Sequence, residues 1–270
     1  MAQNGRVRAA DFAFFDAPTP IGLAHRGGAK LAANLHLENT LAAFREAVRM
    51  GYRYLETDVH ATVDGTLLAF HDLRLDRVTD QRGVIADLPY AAVRVARIHG
   101  TEPIPLLSDL LEEFPDTRIN IDVKAPGAIE PLAEVIRRHR AIDRVCVGSF
   151  SDRRLRAVRR LLGPGLATAT GPAEVAALRL APQRVASWLR SPAAVLQIPT
   201  GHLVGGRRLD LVTPGLVERV HAMGKHVHVW TIDDADEMHR LFDLGVDGIV
   251  SDRIDTLADV LTERGVPLRQ

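Results

Sequence analysis

The chain has 270 residues, 46% hydrophobic and 25% charged, so it can bury the core of one large α/β domain or two small ones. Its 34 Lys and Arg residues balance its 34 Asp and Glu residues, so no excess charge favours a nucleic-acid partner. No apolar run approaches the ~20 residues that span a bilayer, which argues against stable membrane insertion. Residues 1–19 lack the apolar stretch of a signal peptide, and Cys146 is the single cysteine, so we expect a cytoplasmic protein without disulfides.

Strand-like apolar runs alternate with helical patterns along residues 20–265. Short β-branched runs suit parallel strands buried on both faces, and apolar residues three and four apart indicate helices. The predicted strands are 20–24, 53–59, 118–123, 144–148, 166–170, 194–198, 226–230 and 246–250. The predicted helices are 40–50, 105–114, 129–139, 152–162, a blurred stretch near 173–190, 214–223, 234–243 and 254–263. Eight such units in about 250 residues predict one (β/α)₈ TIM barrel after an N-terminal extension, with a doubly wound open sheet as the alternative.

An interruption follows the second predicted strand. The Asp-Gly pair at 64–65 lies between two strand-like runs, which is a strong hairpin signal. A two-residue turn at this pair would place His71 directly opposite Asp58, with Cβ atoms about 5 Å apart. The sequence therefore predicts a β-hairpin that brings a histidine to a carboxylate, followed by a small arginine-rich insertion at 72–104.

Carboxylates lie near the carboxyl ends of two of the predicted strands. Glu56 and Asp58 lie two residues apart, so their side chains point to the same face, at the mouth of a barrel. Two uncompensated carboxylates there would repel and would be costly to bury. A divalent cation removes that cost, and oxygen ligands favour Mg²⁺ or Ca²⁺, with Mn²⁺ also suitable. The alternative is a structural ion-pair cluster with Arg26 and Lys124, and Asp122 is the candidate third metal ligand.

Several basic side chains are candidates for work on an anionic substrate. Histidine is the side chain best suited to general acid and base catalysis near neutral pH, and His25 and His71 are the candidates here. Arg26 is a candidate phosphate clamp, and Lys124, which shares a strand face with Asp122, can hold a phosphate oxygen. A Schiff-base role for Lys124 is the alternative, although that chemistry has no use for three carboxylates.

The remaining candidates lie around this group. Asn39 or Thr40 is predicted to cap the first helix, and Glu38 is placed to add a hydrogen bond at the site. Phe150 follows the fourth predicted strand and Trp230 ends the seventh, where both are candidates for an apolar wall against the alcohol part of a substrate.

These motifs, in this order and spacing, resemble the glycerophosphodiester phosphodiesterase family over almost the whole chain. The matching segments are His25-Arg26-Gly27, Glu38-Asn39-Thr40, Glu56-Thr57-Asp58-Val59, Phe70-His71-Asp72, Ile121-Asp122-Val123-Lys124, Ser149-Phe150, Val229-Trp230-Thr231 and Gly248-Ile249-Val250-Ser251-Asp252. The family is a metal-dependent (β/α)₈ barrel that hydrolyses glycerophosphodiesters to sn-glycerol 3-phosphate and an alcohol. For this chain, the resemblance implies a barrel fold, a divalent metal cofactor and the same hydrolytic activity on a small-molecule phosphodiester.

The resemblance also implies roles for particular residues. His25 and His71 correspond to the general acid/base pair, and Glu56 and Asp58 to metal ligands. Asp122 stands where the third ligand is usually glutamate, one methylene longer. Asp72, beside His71, is expected to support the site, as are Glu38 and Asn39.

Two other departures from the family lie at the predicted mouth. The loop 29–37 is longer than usual and carries Lys30, and Asp233 stands where many relatives have asparagine. Neither departure removes a predicted catalytic residue. Two alternative functions stay open: hydrolysis of another diester such as a lysophospholipid, which would require an apolar slot or a membrane-facing patch near the mouth, and binding of a phosphodiester without turnover. No sequence pattern decides the oligomeric state.

Overall fold

The computed structural model describes residues 7–181, 190–204, 207–266 and 268. In chain order, the strands within these residues are β1 (Ile21–His25), β2 (Tyr54–Ala61), β3 (Leu67–Ala69), β4 (Arg97–Ile98), β5 (Glu102–Pro103), β6 (Arg118–Val123), β7 (Val145–Gly148), β8 (Ala167–Thr168), β9 (Val195–Ile198), β10 (Gly201–Val204), β11 (Arg207–Asp210), β12 (His226–Val229) and β13 (Gly248–Ser251).

The α-helices of the described residues are α1 (Leu41–Arg49), α2 (Tyr90–Val93), α3 (Leu107–Glu113), α4 (Ile129–Arg138), α5 (Asp152–Leu162), α6 (Pro172–Leu180), α7 (Pro214–Ala222), α8 (Ala235–Asp243) and α9 (Ile254–Glu263). Apart from α2, which belongs to the insertion after the hairpin, these helices alternate with the barrel strands along the chain. Among the described residues, no helix is long and apolar enough to cross a membrane.

Eight of the described strands run parallel around a closed barrel, in the order β1, β2, β6, β7, β8, β9, β12 and β13. The ring closes at two joints. The last strand pairs with the first, with Ile21 beside Gly248. Between β8 and β9, Ala169 bridges Val195, and the Thr170 amide donates to the Val195 carbonyl oxygen over 2.9 Å. The predicted TIM barrel is confirmed, and the open-sheet alternative is wrong.

The barrel differs from the prediction in its second half. The fifth barrel strand, β8, keeps only two residues of the predicted 166–170. The blurred helical pattern near 173–190 corresponds to α6, which ends at Leu180, and residues 182–189 lie outside the described part of the chain. An unpredicted antiparallel pair, β10 and β11, follows β9.

The predicted hairpin forms, but its register is shifted by one residue. The Phe70 amide donates to the Asp58 carbonyl oxygen over 2.9 Å, so Phe70 rather than His71 lies beside Asp58. The cause is a three-residue loop instead of a two-residue turn. The Gly65 amide bonds back to the Thr62 carbonyl oxygen, and Gly65 has a φ of 81°, as expected of a bulged three-residue hairpin loop.

The insertion that follows carries a small core of its own. It contains two 3₁₀ turns, α2 and the short pair β4 and β5. Its buried apolar side chains join Leu68 and Phe70 of the hairpin in a cluster separate from the main core. The members from the insertion are Leu75, Ile85, Val93, Ala96, Ile98 and Ile104. This packing holds the segment after His71 in a defined position.

The N-terminal segment packs against the amino end of the barrel. It forms 3₁₀ turns at Ala9–Asp11 and Ala13–Phe15. Phe14 is fully buried and meets the Phe15 and Tyr54 rings edge-on, with centroids 4.9 and 5.3 Å apart. The Tyr54 hydroxyl donates to the Phe14 carbonyl oxygen over 2.7 Å. The segment therefore fills the end of the barrel opposite the carboxyl ends of the strands.

We expect Phe14→Ala to lower the free energy of unfolding by about 3–5 kcal/mol, because it leaves a cavity under the barrel. Urea unfolding followed by circular dichroism measures this change. The control Val63→Ala, at an exposed loop position, should stay within about 0.5 kcal/mol of the parent. Equal stability of the Phe14 variant and the control would show that the segment does not support the barrel.

Candidate active site

The predicted site residues converge on one cavity of about 660 Å³ at the carboxyl ends of the barrel strands. The predicted acid/base and metal residues that line it are His25, His71, Glu56, Asp58 and Asp122. The predicted substrate-binding residues that line it are Arg26, Lys124, Phe150 and Trp230. Parallel strands bring their carboxyl ends to one rim, which is why residues far apart in the sequence meet here.

Three carboxylates form the floor of this cavity. Glu56 and Asp58 share one face of β2, and Asp58 pairs directly with Asp122 of β6. Burial raises the pKa of Glu56 to about 7, and the neighbouring charge of Asp58 adds to that effect. Burial also acts to raise the pKa of Asp58, but the charges of Lys124 and Arg26 outweigh it and lower that pKa.

Cations and amide groups surround Asp58. Lys124 Nζ lies 2.9 Å from Asp58 Oδ1 and 2.7 Å from Asp122 Oδ2. Arg26 Nε lies 3.2 Å from Asp58 Oδ2, as an ion pair in which the N–H is not aimed at the oxygen. Asn39 Nδ2 donates to the same oxygen over 3.2 Å. Asp58 therefore forms the ion pairs with Arg26 and Lys124 that the sequence offered as the alternative to metal binding.

The carboxylates of the floor meet the needs of a divalent cation only in part. Among the described residues, no three His, Cys, Asp or Glu side chains are arranged as a ready metal cluster, and Lys124 neutralises two of the predicted ligands. Two observations nevertheless fit a cation. Within the described part of the chain, the buried Oδ1 of Asp122 has no hydrogen-bond partner. The charge of Glu56 is disfavoured by burial and by Asp58. Hard carboxylate oxygens with unmet charge suit Mg²⁺ or Ca²⁺.

His25 ends β1 with its ring held by a carboxylate. Its Nδ1 lies 2.6 Å from Asp252 Oδ1, and its Nε2 lies 3.8 Å from Glu56 Oε2. Burial acts to lower the pKa of His25, but the charge of Glu56 and the Asp252 hydrogen bond outweigh it and raise that pKa.

His71 forms a second pair of the same kind, on the side of the insertion. Its Nδ1 lies 2.6 Å from Asp72 Oδ1. Arg77 binds both Asp72 and Glu38, with Nη2 2.6 Å from Glu38 Oε1. Burial acts to raise the pKa of Asp72, but hydrogen bonds from Arg77 and His71 lower it to about 2. Because Asp72 is ionised, His71 Nδ1 carries the proton of this hydrogen bond.

The three residues before α1, Glu38, Asn39 and Thr40, make different contacts. Thr40 is the N-cap, since its hydroxyl accepts from the Ala43 amide over 3.1 Å. Asn39 is thus free to face the site, and its Oδ1 accepts from the Thr57 hydroxyl over 2.7 Å. Glu38 also accepts from Arg26 Nη1 over 3.0 Å. Glu38, Asn39 and Asp72 therefore contact the lining residues from behind.

Lys30 and Asp233, the two residues expected to depart from the family pattern, pair with each other. Lys30 Nζ donates to Asp233 Oδ2 over 2.6 Å and lies 3.6 Å from Asp252 Oδ2. Asp233 Oδ1 accepts from the Ser251 hydroxyl and from the Asp252 amide, over 3.0 and 2.9 Å. The loop 29–37 is thus tied to the segment that holds the His25 partner.

On the far wall, two aromatic rings lie together. Phe150 and Trp230 meet edge-on, with ring centroids 5.4 Å apart. Lys124 Nζ lies 5.8 Å from the centre of the Phe150 ring. This geometry joins the charged floor of the cavity to an apolar wall.

Asp252 and Arg77 contact the site, but they were not predicted as site residues from the sequence. Asp252 belongs to a segment that matches the family and follows a strand end, which was a usable signal. Arg77 was one of several arginines in the insertion, and no spacing distinguished it from the others. Its role depends on a fold that brings Glu38 beside Asp72.

Comparison with known proteins places the chain in a family. A model of the Glycerophosphoryl diester phosphodiesterase family matches residues 25–256. The chain is 41% identical over 249 residues to "Probable glycerophosphodiester phosphodiesterase 2" of Mycobacterium tuberculosis (strain ATCC 25618 / H37Rv), which covers 91% of this chain and 92% of the relative. It is 28% identical over 282 residues to lysophospholipase D GDPD1 of Homo sapiens, which covers 88% of this chain and 85% of that protein.

Solved structures agree. A phosphodiesterase from Oleispira antarctica, solved in complex with the product sn-glycerol-3-phosphate, superposes with a TM-score of 0.75 at 26% identity, covering 90% of this chain and 97% of that one. The fold is also similar to that of a glycerophosphodiester phosphodiesterase from Agrobacterium tumefaciens str. C58, with a TM-score of 0.70 at 22% identity, covering 87% and 98%. The chain therefore belongs to the glycerophosphoryl diester phosphodiesterase family.

Proposed function

We propose that this protein hydrolyses glycerophosphodiesters to sn-glycerol 3-phosphate and an alcohol, with a divalent cation as cofactor. One arrangement carries the proposal: His25 and His71, each bound through Nδ1 to a carboxylate, line the same cavity as three clustered carboxylates. The Oleispira antarctica relative binds the same product, sn-glycerol 3-phosphate, and the Mycobacterium tuberculosis relative is named for this activity.

The two histidines are assigned the proton transfers. Because Asp252 and Asp72 each accept from Nδ1, the Nε2 atoms are left to exchange protons with the substrate. One Nε2 removes the proton of the attacking hydroxyl, which belongs to water or to the neighbouring glycerol. The oxygen of that hydroxyl bonds to phosphorus, the P–O bond to the alcohol breaks, and the other histidine protonates the departing oxygen. Attack by water gives sn-glycerol 3-phosphate directly, whereas attack by the glycerol hydroxyl gives a cyclic phosphate, which water then opens at phosphorus with the two histidines in exchanged roles.

Arg26 and Lys124 are assigned to the phosphate oxygens. Both cations lie beside Asp58 at the floor of the cavity, where they can donate to the phosphate oxygens of a substrate that enters it. Phe150 and Trp230 are assigned to the alcohol part, which they face from the opposite wall. Glu38, Asn39 and Asp72 act behind these groups by fixing their orientation.

Glu56, Asp58 and Asp122 are the residues that would hold the cation. Mg²⁺ and Ca²⁺ are the first candidates for this oxygen-rich set, and Mn²⁺ is a further one. When bound, the cation supplies electrostatic stabilisation of the charge that develops on the phosphoryl oxygens. The shorter Asp122 side chain, in place of glutamate, is expected to influence which ion is accepted.

The expected setting is the cytoplasm, with a small molecule as the substrate. The single cysteine is buried and needs no oxidising compartment. The formal charges balance, so there is no excess positive charge that would favour binding to nucleic acid.

The direct test is release of sn-glycerol 3-phosphate from glycerophosphocholine, after EDTA treatment and then with Mg²⁺, Ca²⁺ or Mn²⁺ restored. We expect EDTA to abolish release and one of the ions to restore it. Asp122→Glu, assayed in parallel, should change the order of preference among the ions. Release that persists at full rate in EDTA would contradict the metal requirement, and absence of release with every ion would contradict the activity.

The acid/base assignment predicts the effects of three variants on kcat. His25→Ala and His71→Ala should each lower kcat by about 10²–10⁴-fold, the usual contribution of such groups. Asp252→Asn should lower kcat by about 10²-fold or more, because the amide no longer fixes the proton on Nδ1. The matched control Asp259→Asn, at an exposed position on α9, should match the parent. Parent-like kcat in either histidine variant, with the fold intact by circular dichroism, would rule out the assigned pair.

A further inference from the structure

The cavity extends well beyond the charged floor. Its second half, the apolar arm, is formed by α6, by the end of β9 and by the segment around β11. The residues that define the apolar arm are Val175, Leu180, Ile198, Pro199, Leu209 and Leu211. Arg179 also lines this half, with Nη2 3.4 Å from the Asp210 carbonyl oxygen. The arm and the charged floor belong to one continuous cavity, with Phe150 and Trp230 in its lining.

Large apolar side chains are left exposed around this cavity. Leu180, Phe150 and Leu209 keep 74%, 63% and 39% of their surface accessible. Within the described residues, three of the eight large hydrophobic side chains that are exposed thus lie around one opening. Single exposed leucines are common on protein surfaces, but a group of apolar side chains that borders a cavity is typical of a binding site for an apolar ligand.

The alcohols of simple glycerophosphodiesters give such a surface little to bind. Choline, ethanolamine and glycerol are small and polar, whereas the arm offers leucine, isoleucine, valine and proline. A hydrocarbon chain placed there would gain about 0.8 kcal/mol for each methylene removed from water. The exposed leucines are therefore matched to a substrate with an apolar chain.

We propose that the substrates of this enzyme are phosphodiesters that carry one hydrocarbon chain, with the chain in the apolar arm and the phosphate on the charged floor. This inference rests on the proposed function, since it concerns the substrate class of the same site. The chain can be attached on the glycerol side, as in a lysophospholipid, or on the alcohol side of the phosphorus. The shared chemistry is an anionic diester beside a single apolar tail.

Two substrate series separate these sources. The first is glycerophosphocholine and its 1-acyl derivatives with four, six and eight carbons, short enough to stay monomeric, assayed by choline release. The second is glycerophosphoalkanols of the same chain lengths, assayed by sn-glycerol 3-phosphate release. We expect kcat/KM to rise in one series by up to about fourfold per methylene, and by at least tenfold from four to eight carbons.

Each outcome has a definite meaning. A rise in the first series identifies an acyl chain on glycerol, and a rise in the second identifies an apolar alcohol. Flat values in both series, with glycerophosphocholine cleaved normally, would overturn this inference and leave the proposed function standing. No product from any substrate, glycerophosphocholine included, would overturn both.

Variants at the rim test the location of the chain. The readout is the ratio of kcat/KM for the preferred eight-carbon substrate to that for glycerophosphocholine. Leu180→Glu should lower this ratio at least tenfold, because it sets a charge beside the chain, while Leu180→Met should keep it. The control Leu161→Glu, at an exposed position on α5 outside the cavity lining, should also keep the ratio. An unchanged ratio in Leu180→Glu would show that the chain does not lie in the apolar arm.

Discussion

The burial of two like charges on one strand is the constraint around which this site is built. Glu56 and Asp58 point into the mouth of the barrel, where burial penalises each carboxylate and each disfavours the other. Such a pair is stable only where positive charge is brought to it. Arg26, Lys124 and His25 provide that charge here, from the ends of β1 and β6. Under the proposed function, the same balance of charges would let the floor hold a cation together with an anionic substrate.

An outer layer of ion pairs keeps the reactive groups in place. On one side, Arg77 joins Glu38 to Asp72 and so fixes the carboxylate that holds His71. On the other side, Lys30 and Asp233 are linked to the segment that carries Asp252, the partner of His25. Both histidines are thus oriented by carboxylates that themselves pair with a cation, Asp72 with Arg77 and Asp252 with Lys30. Preorganised side chains of this kind need little rearrangement as charge develops on the substrate.

The strand periodicity was enough to predict much of the site from the sequence. Residues two apart on a strand share a face, which placed Glu56 with Asp58, and a parallel barrel had to bring Asp122 beside them. The hairpin register was missed because an Asp-Gly pair fits loops of two and of three residues, and only packing selects between them. The roles of Arg77 and the apolar arm depend on contacts between distant segments, such as α6 beside β11. Those contacts leave no local pattern in the sequence.

Attack at phosphorus is the step by which the proposed function can be judged. It is tested by turnover of glycerophosphocholine in ¹⁸O-labelled water, with the restored cation and followed by ³¹P nuclear magnetic resonance. We expect one product resonance, that of sn-glycerol 3-phosphate, shifted by a single ¹⁸O atom on phosphorus, whether water or a glycerol hydroxyl attacks first. A product phosphate without ¹⁸O, with the label in the released choline, would show attack at carbon instead, and absence of turnover would show that the cavity does not catalyse this reaction.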